Sequence, residues 1–285
     1  MIPRKLICGF ALFGMVVLAS IGLTAHAADK KIKEPEAGRA WADRSKVLKR
    51  KGDWKALKTL AEDELKTFPR SFAAWSDLGE ACGYLIEFDC ATRAYRQAAG
   101  IRPGSEVTWS RLGAIYRKTG RLDDAIKAYK KVLGINKNSA ENWNRLGFVH
   151  HELRQYPSAV EAYRKALSIN PGYPHAWFNL GITYNSLKQY EKAIVAFNEA
   201  TLSNGMGAVW PHIGYSYLAL KRYPDATRAY EEAVRMNPDD SGAWYNLGVT
   251  YAYLGRRDMV KRVHSALQEL DSALAEDFFR RFVLP

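Results

Sequence analysis

Three cysteines and six histidines are the side chains of this 285-residue sequence with the most selective chemistry, and their spacing limits what they can do. Cys82 and Cys90 lack the CxxC spacing of a redox or zinc pair, and Cys8 falls in an apolar N-terminal run. His26, His150, His151, His175, His212 and His264 are scattered, and no metal-ligand spacing links them. There is no HExxH, no GxSxG and no glycine loop leading into Lys-Ser or Lys-Thr. Gly205-Met206-Gly207 is too short for a dinucleotide fingerprint. The acidic pairs Asp123-Asp124 and Asp239-Asp240 stand where helices start, and capping and the helix dipole account for them. The expectation is a chain with no catalytic residues, no metal and no cofactor.

The elements that carry these residues repeat. Tryptophan recurs at Trp41, Trp75, Trp109, Trp143, Trp177, Trp210 and Trp244, every 34 residues apart from one step of 33. Three and four residues after the tryptophans come Leu78-Gly79, Leu112-Gly113, Leu146-Gly147, Leu180-Gly181, Ile213-Gly214 and Leu247-Gly248, with Arg44-Ser45 in the first copy. A second set follows: Ala91, Ala125, Ala159, Ala193 and Ala226, then Tyr95, Tyr129, Tyr163, Phe197 and Tyr230, with Pro69, Pro103, Pro171 and Pro238 closing. Steps of three and four within each set put the apolar residues on one face of a helix, so each repeat reads as two amphipathic helices joined by a turn. The small Gly147 and Ala159 allow the two helices to approach closely, and Trp143, Leu146 and Tyr163 fill the space to the neighbouring repeat. On this register Trp177 is expected to bridge three successive repeats.

Position by position, this pattern resembles the tetratricopeptide repeat family. The resemblance implies an all-α fold, a right-handed α-solenoid of seven helical hairpins, and a binding role in place of an enzymatic one. It also implies that first helices line a concave face. The ligand-groove candidates there are basic or polar in repeats three and four, at Arg111, Arg117, Lys118, Asn144, Arg145 and His151. Toward the C-terminus they turn aromatic and apolar, at Phe148, Phe178, Ile182, Tyr215, Tyr245, Val249 and Tyr253. Asn179 and Asn246 fall where peptide-binding members of the family use asparagine to hold a ligand backbone. A basic segment followed by an aromatic one suits an extended peptide with an acidic end and an apolar remainder.

Taken in order, residues 1–27 read as a secretory signal peptide: Arg4 and Lys5, an uncharged run from Leu6 to Leu23, then Ala25-His26-Ala27. The alternative is an uncleaved anchor. Cleavage would leave a chain that does not span the membrane, in a periplasmic or secreted location. Residues 28–36 form a short polar leader expected to be disordered, 37–271 the repeats, and 272–285 a capping helix carrying Leu274, Phe278, Phe279 and Phe282. The net charge of +12 is concentrated early, with 13 Lys or Arg against 8 Asp or Glu between Asp29 and Arg70. That excess fits a solvated end cap, or a contact with an acidic glycan in a polysaccharide or peptidoglycan assembly; export argues against nucleic acid.

Local departures carry further expectations. Polar Arg44 and Ser45 mark a terminal repeat. His150 and His264 fall on positions buried in other repeats, and Val260 and His264 replace the alanine and aromatic of the seventh second helix. Pro157 and Pro211 fall in first turns, where a missing N–H costs nothing. The glycines around Met206, at the 33-residue step, suggest either a loose joint or a tolerated loop deletion. After signal removal Cys82 and Cys90 are the remaining cysteines and would meet an oxidising compartment. They form a disulfide across a hairpin turn, or stay apart with Cys82 buried and Cys90 facing solvent.

Overall fold

The structure, a computed structural model, describes residues 41–202 and 207–283. The expected signal peptide and leader, and most of the glycine-rich joint, lie outside these residues. Every regular element among the described residues is helical. The chain falls into two compact units, residues 1–103 and 104–285.

The first unit holds two hairpins, α1 (41–51) with α2 (Trp54–Thr67), and α3 (Phe72–Tyr84) with α4 (Phe88–Ile101). The second begins with α5 (Glu106–Lys118), α6 (Leu122–Ile135), α7 (Ala140–Glu152), α8 (Tyr156–Ile169), α9 (Pro174–Ser186) and α10 (Tyr190–Thr201). After a 3-10 turn at Gly207–Val209 come α11 (Trp210–Ala219), α12 (Tyr223–Met236), α13 (Ser241–Tyr253) and α14 (Arg257–Leu270). The short α15 (Ser272–Phe278) runs into a π turn at Phe279–Val283. Pro157 and Pro211 sit in the first turns of α8 and α11, as their missing N–H groups require. No described helix is long and apolar enough to cross a membrane.

Every hairpin after the first closes on a glycine. A Cβ on Gly147 would lie 2.7 Å from Tyr163, and one on Gly113 2.9 Å from Tyr129; Gly79 faces Tyr95 and Gly214 faces Tyr230, each at 2.8 Å. Such distances leave no room for a methyl group, so glycine lets the ring of the second helix lie flat against the backbone of the first. Ala91, Ala125, Ala159, Ala193 and Ala226 are fully buried beside these rings.

The turns between paired helices share one hydrogen-bond pattern. Gln155 N–H donates to the carbonyl of His150 (2.9 Å) and Arg154 N–H to that of His151 (2.8 Å), with Arg154 at φ +57°. This is the Schellman arrangement, which ends a helix through one left-handed residue. Gly52, Gly120 and Gly255 take the left-handed position in three turns, and Ile86, Arg154, Lys188 and Lys221 take it in others at the steric cost of a Cβ. In the turn around Ile86, the start of α4 folds back over the end of α3, with Glu87 N–H donating to the Cys82 carbonyl at 2.9 Å. That return brings the Cα atoms of Cys82 and Cys90 to 5.8 Å, and the two are bonded. Cys82 is fully buried and Cys90 half-buried, so a bridge between an inward and a rim-facing side chain is accommodated.

The tryptophans do more than fill space. Half-buried Trp75, Trp143, Trp177 and Trp244 each donate their indole N–H to the carbonyl six residues upstream, on Pro69 (2.8 Å), Lys137 (2.9 Å), Pro171 (2.7 Å) and Pro238 (2.8 Å). They pin the loop entering each repeat. Trp177 also packs on an apolar cluster drawn from α8 through α12. In the first repeat Ser45 is buried, and both its hydroxyl and Lys49 hydrogen-bond the buried Asp77 carboxylate of α3. The polar substitution in that repeat therefore makes a specific contact with the next first helix.

The seventh repeat is completed from outside itself. His264 occupies the aromatic position but is half-exposed against Phe279, and the ring over Gly248 is Phe278 of α15. Phe278 is fully buried, so the terminal helix supplies the side chain that the repeat lacks. His150, also expected to be buried, is half-exposed and pairs with Gln155 at 2.7 Å, because its position lies beside the turn.

Gly147→Ala should cost about 1–3 kcal/mol through overpacking against Tyr163. Gly100→Ala in α4, where a Cβ meets nothing within 4 Å, should stabilise by about 0.5–1 kcal/mol. Urea titrations of the two variants check this opposition of sign. Replacing Cys82 and Cys90 together by serine should cost about 2–3 kcal/mol, the chain entropy of so short a loop. The unreduced protein should show no reactive thiol at either position in a mass-spectrometric alkylation assay.

Candidate ligand groove on the first helices

In the second unit the first helices α7 and α9, and α11 and α13, touch one another directly in addition to packing on second helices. First helices therefore lie on the inner side of this stack. A polar ladder ties α5 to α7, α7 to α9 and α9 to α11. Ser110 of α5 donates to Asn142 of α7 at 2.8 Å, and Arg145 of α7 donates back to Ser110 at 3.3 Å. Asn179 of α9 donates to Asn144 of α7 at 3.0 Å, His151 pairs with Thr183 at 3.0 Å, and Ser216 of α11 donates to Asn185 at 2.8 Å. Separately, Tyr245 of α13 donates to Asp277 of α15 at 2.9 Å.

This ladder corrects much of the sequence-based groove. Asn144 is buried, so its amide faces a neighbouring helix and not a ligand. Asn179 is half-buried and spends a donor on the same contact. Arg145 pairs with Glu141, and Arg117 with Glu152 at 3.2 Å, so both charges are largely balanced locally. Phe178 is half-buried with ring contacts to Phe197 (5.9 Å) and His212 (5.3 Å). Tyr245 lies under the edges of Phe278 (5.5 Å) and Phe282 (6.2 Å), so the terminal helix covers that end. For Asn144, Asn179 and Arg117 the cause is that adjacent first helices sit close enough for their facing polar groups to satisfy one another before any ligand can. Arg145 is instead ion-paired within its own helix, and Phe178 and Tyr245 are covered by neighbouring rings.

What stays accessible forms a narrower set. Arg111 and Lys118 are exposed on α5. Phe148, Ile182, Tyr215 and Val249 occupy one register, five residues after each tryptophan, on α7, α9, α11 and α13. Phe148 is 36% and Tyr215 49% exposed, while Ile182 and Val249 are half-buried. The Arg117 guanidinium stands 4.9 Å from the Phe148 ring centre, a cation–π contact that stiffens both side chains. Asn246 is half-buried on α13, and Tyr253, 61% exposed, stacks on Tyr223 at 4.6 Å.

Sequence reasoning missed the rim formed by the first residues of second helices. Tyr190 stands 6.2 Å from Tyr215, Tyr223 stacks on Tyr253, and Tyr156 lies 5.3 Å from His151. The signal was present: each of these tyrosines follows a repeat tryptophan by thirteen residues. Burial depresses the pKa of His151 and His212, which keeps both imidazoles neutral and suited to packing. Burial, then the Tyr190 phenol, raises that of Tyr215, which stays a neutral hydroxyl. Among the described residues the one candidate metal group is Cys82, Glu87 and Cys90, and its sulfurs are consumed by their mutual bond. The arrangement offers an apolar row with hydrogen-bonding edges, which is chemistry for binding.

Comparison with known proteins follows the same line. Tetratricopeptide repeat models match residues 104–171 and 162–195, and a TPR repeat model matches 214–255. No curated protein matches the sequence. Of the solved structures, MamA is 27% identical, with a TM-score of 0.55 over 57% of this chain and 90% of its own. YrrB, described as a TPR protein with an unusual peptide-binding site, is 20% identical, with a TM-score of 0.57 over 66% of this chain and 98% of its own. PilF of Pseudomonas aeruginosa is 18% identical, with a TM-score of 0.61 over 73% of this chain and 96% of its own. At such identities the last two speak for the fold alone. The repeating tryptophans, the glycine-to-aromatic closure of each hairpin and these matches agree, and the chain belongs to the tetratricopeptide repeat family.

Proposed function

We propose that this protein is an exported interaction scaffold of the cell envelope, without enzymatic activity, that holds an extended protein segment along the first helices of its second unit. Membership of the tetratricopeptide family makes a protein or peptide partner the first expectation, and the envelope setting and the groove are this reading's own additions. The observation that carries it is the row Phe148, Ile182, Tyr215 and Val249, one apolar side chain per first helix in a single register. A repeat of that kind fits a ligand whose own apolar side chains recur along an extended backbone. Tyr190 and Tyr223 at the rim add phenol hydroxyls able to bond a peptide backbone. The exposed cations Arg111 and Lys118 favour an acidic residue at the α5 end of the ligand. Export rests on the signal-like residues 1–27 and fits the Cys82–Cys90 disulfide, a bond that persists in oxidising compartments.

The test uses extended peptides selected from a random library for binding to the purified protein. Phe148→Ala combined with Tyr215→Ala should weaken the selected peptides about tenfold or more, mainly through faster dissociation, since aromatic anchors dominate such interfaces. Arg111→Ala with Lys118→Ala should slow association and flatten its salt dependence. Arg256→Ala with Arg257→Ala, at the α13–α14 turn, should change neither rate. Wild-type affinity in the Phe148/Tyr215 variant, shown to be folded, would place recognition elsewhere on the molecule.

A further inference from the structure

On the outer side of the second unit a groove of about 510 Å³ runs between the second helices α8 and α10, with α9 as its floor. Trp177, Leu180 and Tyr184, at steps of three and four, share the face of α9 that lines it, away from Phe178 and Ile182. Leu167 of α8 and Val195 and Ala196 of α10 complete the apolar walls, and Val195 is 61% exposed.

The repeat pattern does not ask for an apolar side chain at Val195. Eighteen residues after the tryptophan, the other repeats carry Thr59, Arg93, Lys127, Glu161, Arg228 and Arg262. The corresponding groove at Trp75 is polar, with Glu62, Arg93, Arg96 and Gln97 among its lining residues. The charges beside Val195 depart from the pattern as well. Lys192 is a cation where the other repeats have Ala56, Cys90, Asp124, Ser158, Asp225 and Met259. Arg164 donates to the Tyr184 hydroxyl at 3.1 Å, whereas the equivalent phenol of the seventh repeat, Tyr251, donates to Glu231 at 2.7 Å. Lys192 bonds the Gln189 side chain at 3.0 Å and stands 5.8 Å from the Tyr184 ring centre. Among the described residues neither cation is ion-paired, and each keeps further donors. The lining carboxylate, Glu191, stands in the first turn of α10, where the helix dipole favours it. The groove is therefore polarised, with two cations at the Tyr184 end and apolar walls toward Trp177.

We propose that this outer groove docks a segment of a partner protein that lays an apolar side chain against Val195 and Trp177 and a carboxylate over Tyr184, between Arg164 and Lys192. Charge complementarity selects an acidic segment over a basic one. The exposure of Val195 selects a chain that continues across the groove over a small molecule, which needs enclosure. The site is separate from the first-helix row and does not depend on it. A stack with an inner and an outer site can hold two partners at once.

The test selects short peptides from a random library on the Phe148→Ala/Tyr215→Ala variant, shown to be folded, so that the inner row contributes nothing. Enriched peptides should pair Asp or Glu with a large apolar residue. Val195→Arg and Lys192→Asp, each taking the residue of the sixth repeat, should each weaken those peptides about tenfold or more. Lys127→Ala, at the Val195 register on α6, should leave them unchanged. No enrichment over an unrelated protein, enrichment of peptides without acidic residues, or equal affinity in the Val195→Arg variant overturns the proposal. Two other outcomes overturn it and name a different occupant. Self-association in sedimentation velocity that Val195→Arg abolishes assigns the groove to a second copy, and binding of phosphatidylglycerol vesicles that Val195→Arg abolishes assigns it to an anionic membrane surface.

Discussion

The close approach of a ring to a glycine is the contact on which this molecule depends. In the second to sixth hairpins an aromatic side chain of the second helix lies against backbone of the first, at distances that a methyl group would occupy. Because the ring fills that space, the fully buried alanines beside it can be small, and the paired helices come within reach of a single Schellman turn. Burial of one ring per hairpin is worth a few kcal/mol, far less than a conventional core, so stability accumulates over neighbouring repeats. The seventh repeat shows how strict the requirement is. With His264 in the ring position, Gly248 is covered instead by Phe278 of α15, beside Val263 of α14.

Close helices have a second consequence, at the inner face. First helices that touch must satisfy each other's polar groups, and the ladder from Ser110 through Asn142, Asn144, Asn179 and Thr183 does so. A side chain committed to a neighbouring helix is a poor ligand contact, since a bound partner would have to break one hydrogen bond to make another. The apolar row from Phe148 to Val249 stands on the same first helices, so the residues of the proposed groove lie beside side chains already committed to a neighbouring helix. Arg117 belongs to both sets, through Glu152 and the Phe148 ring.

The two termini of the repeat array are handled by different means. At the C-terminal end an added helix covers Tyr245 and Gly248 with aromatic rings and accepts a hydrogen bond on Asp277. In the first repeat buried Ser45, with Lys49, replaces apolar contact by hydrogen bonds to Asp77. That end also presents a crevice between α1 and α2 lined by Val47, Leu48 and Leu60 together with Asp43, Arg44, Asp63 and Glu64.

The sequence by itself determined the hairpins. The spacing of Trp, Leu-Gly, Ala and Tyr encodes helix periodicity and interhelical distance together, because each residue type is chosen for a local steric need that repeats without change. The proline positions, the degenerate first repeat and the irregular seventh were legible for the same reason. The groove was legible only as a set of positions. Whether Asn144, Asn179, Arg145 or Tyr245 faces a ligand depends on what the next helix places opposite, at a separation of some 31 to 35 residues that no local pattern reports. The tertiary structure decided that, and it decided the partners of Phe278 and the two cysteines too. Ring-to-glycine contact is a property of one repeat, whereas the satisfaction of a polar side chain is a property of two.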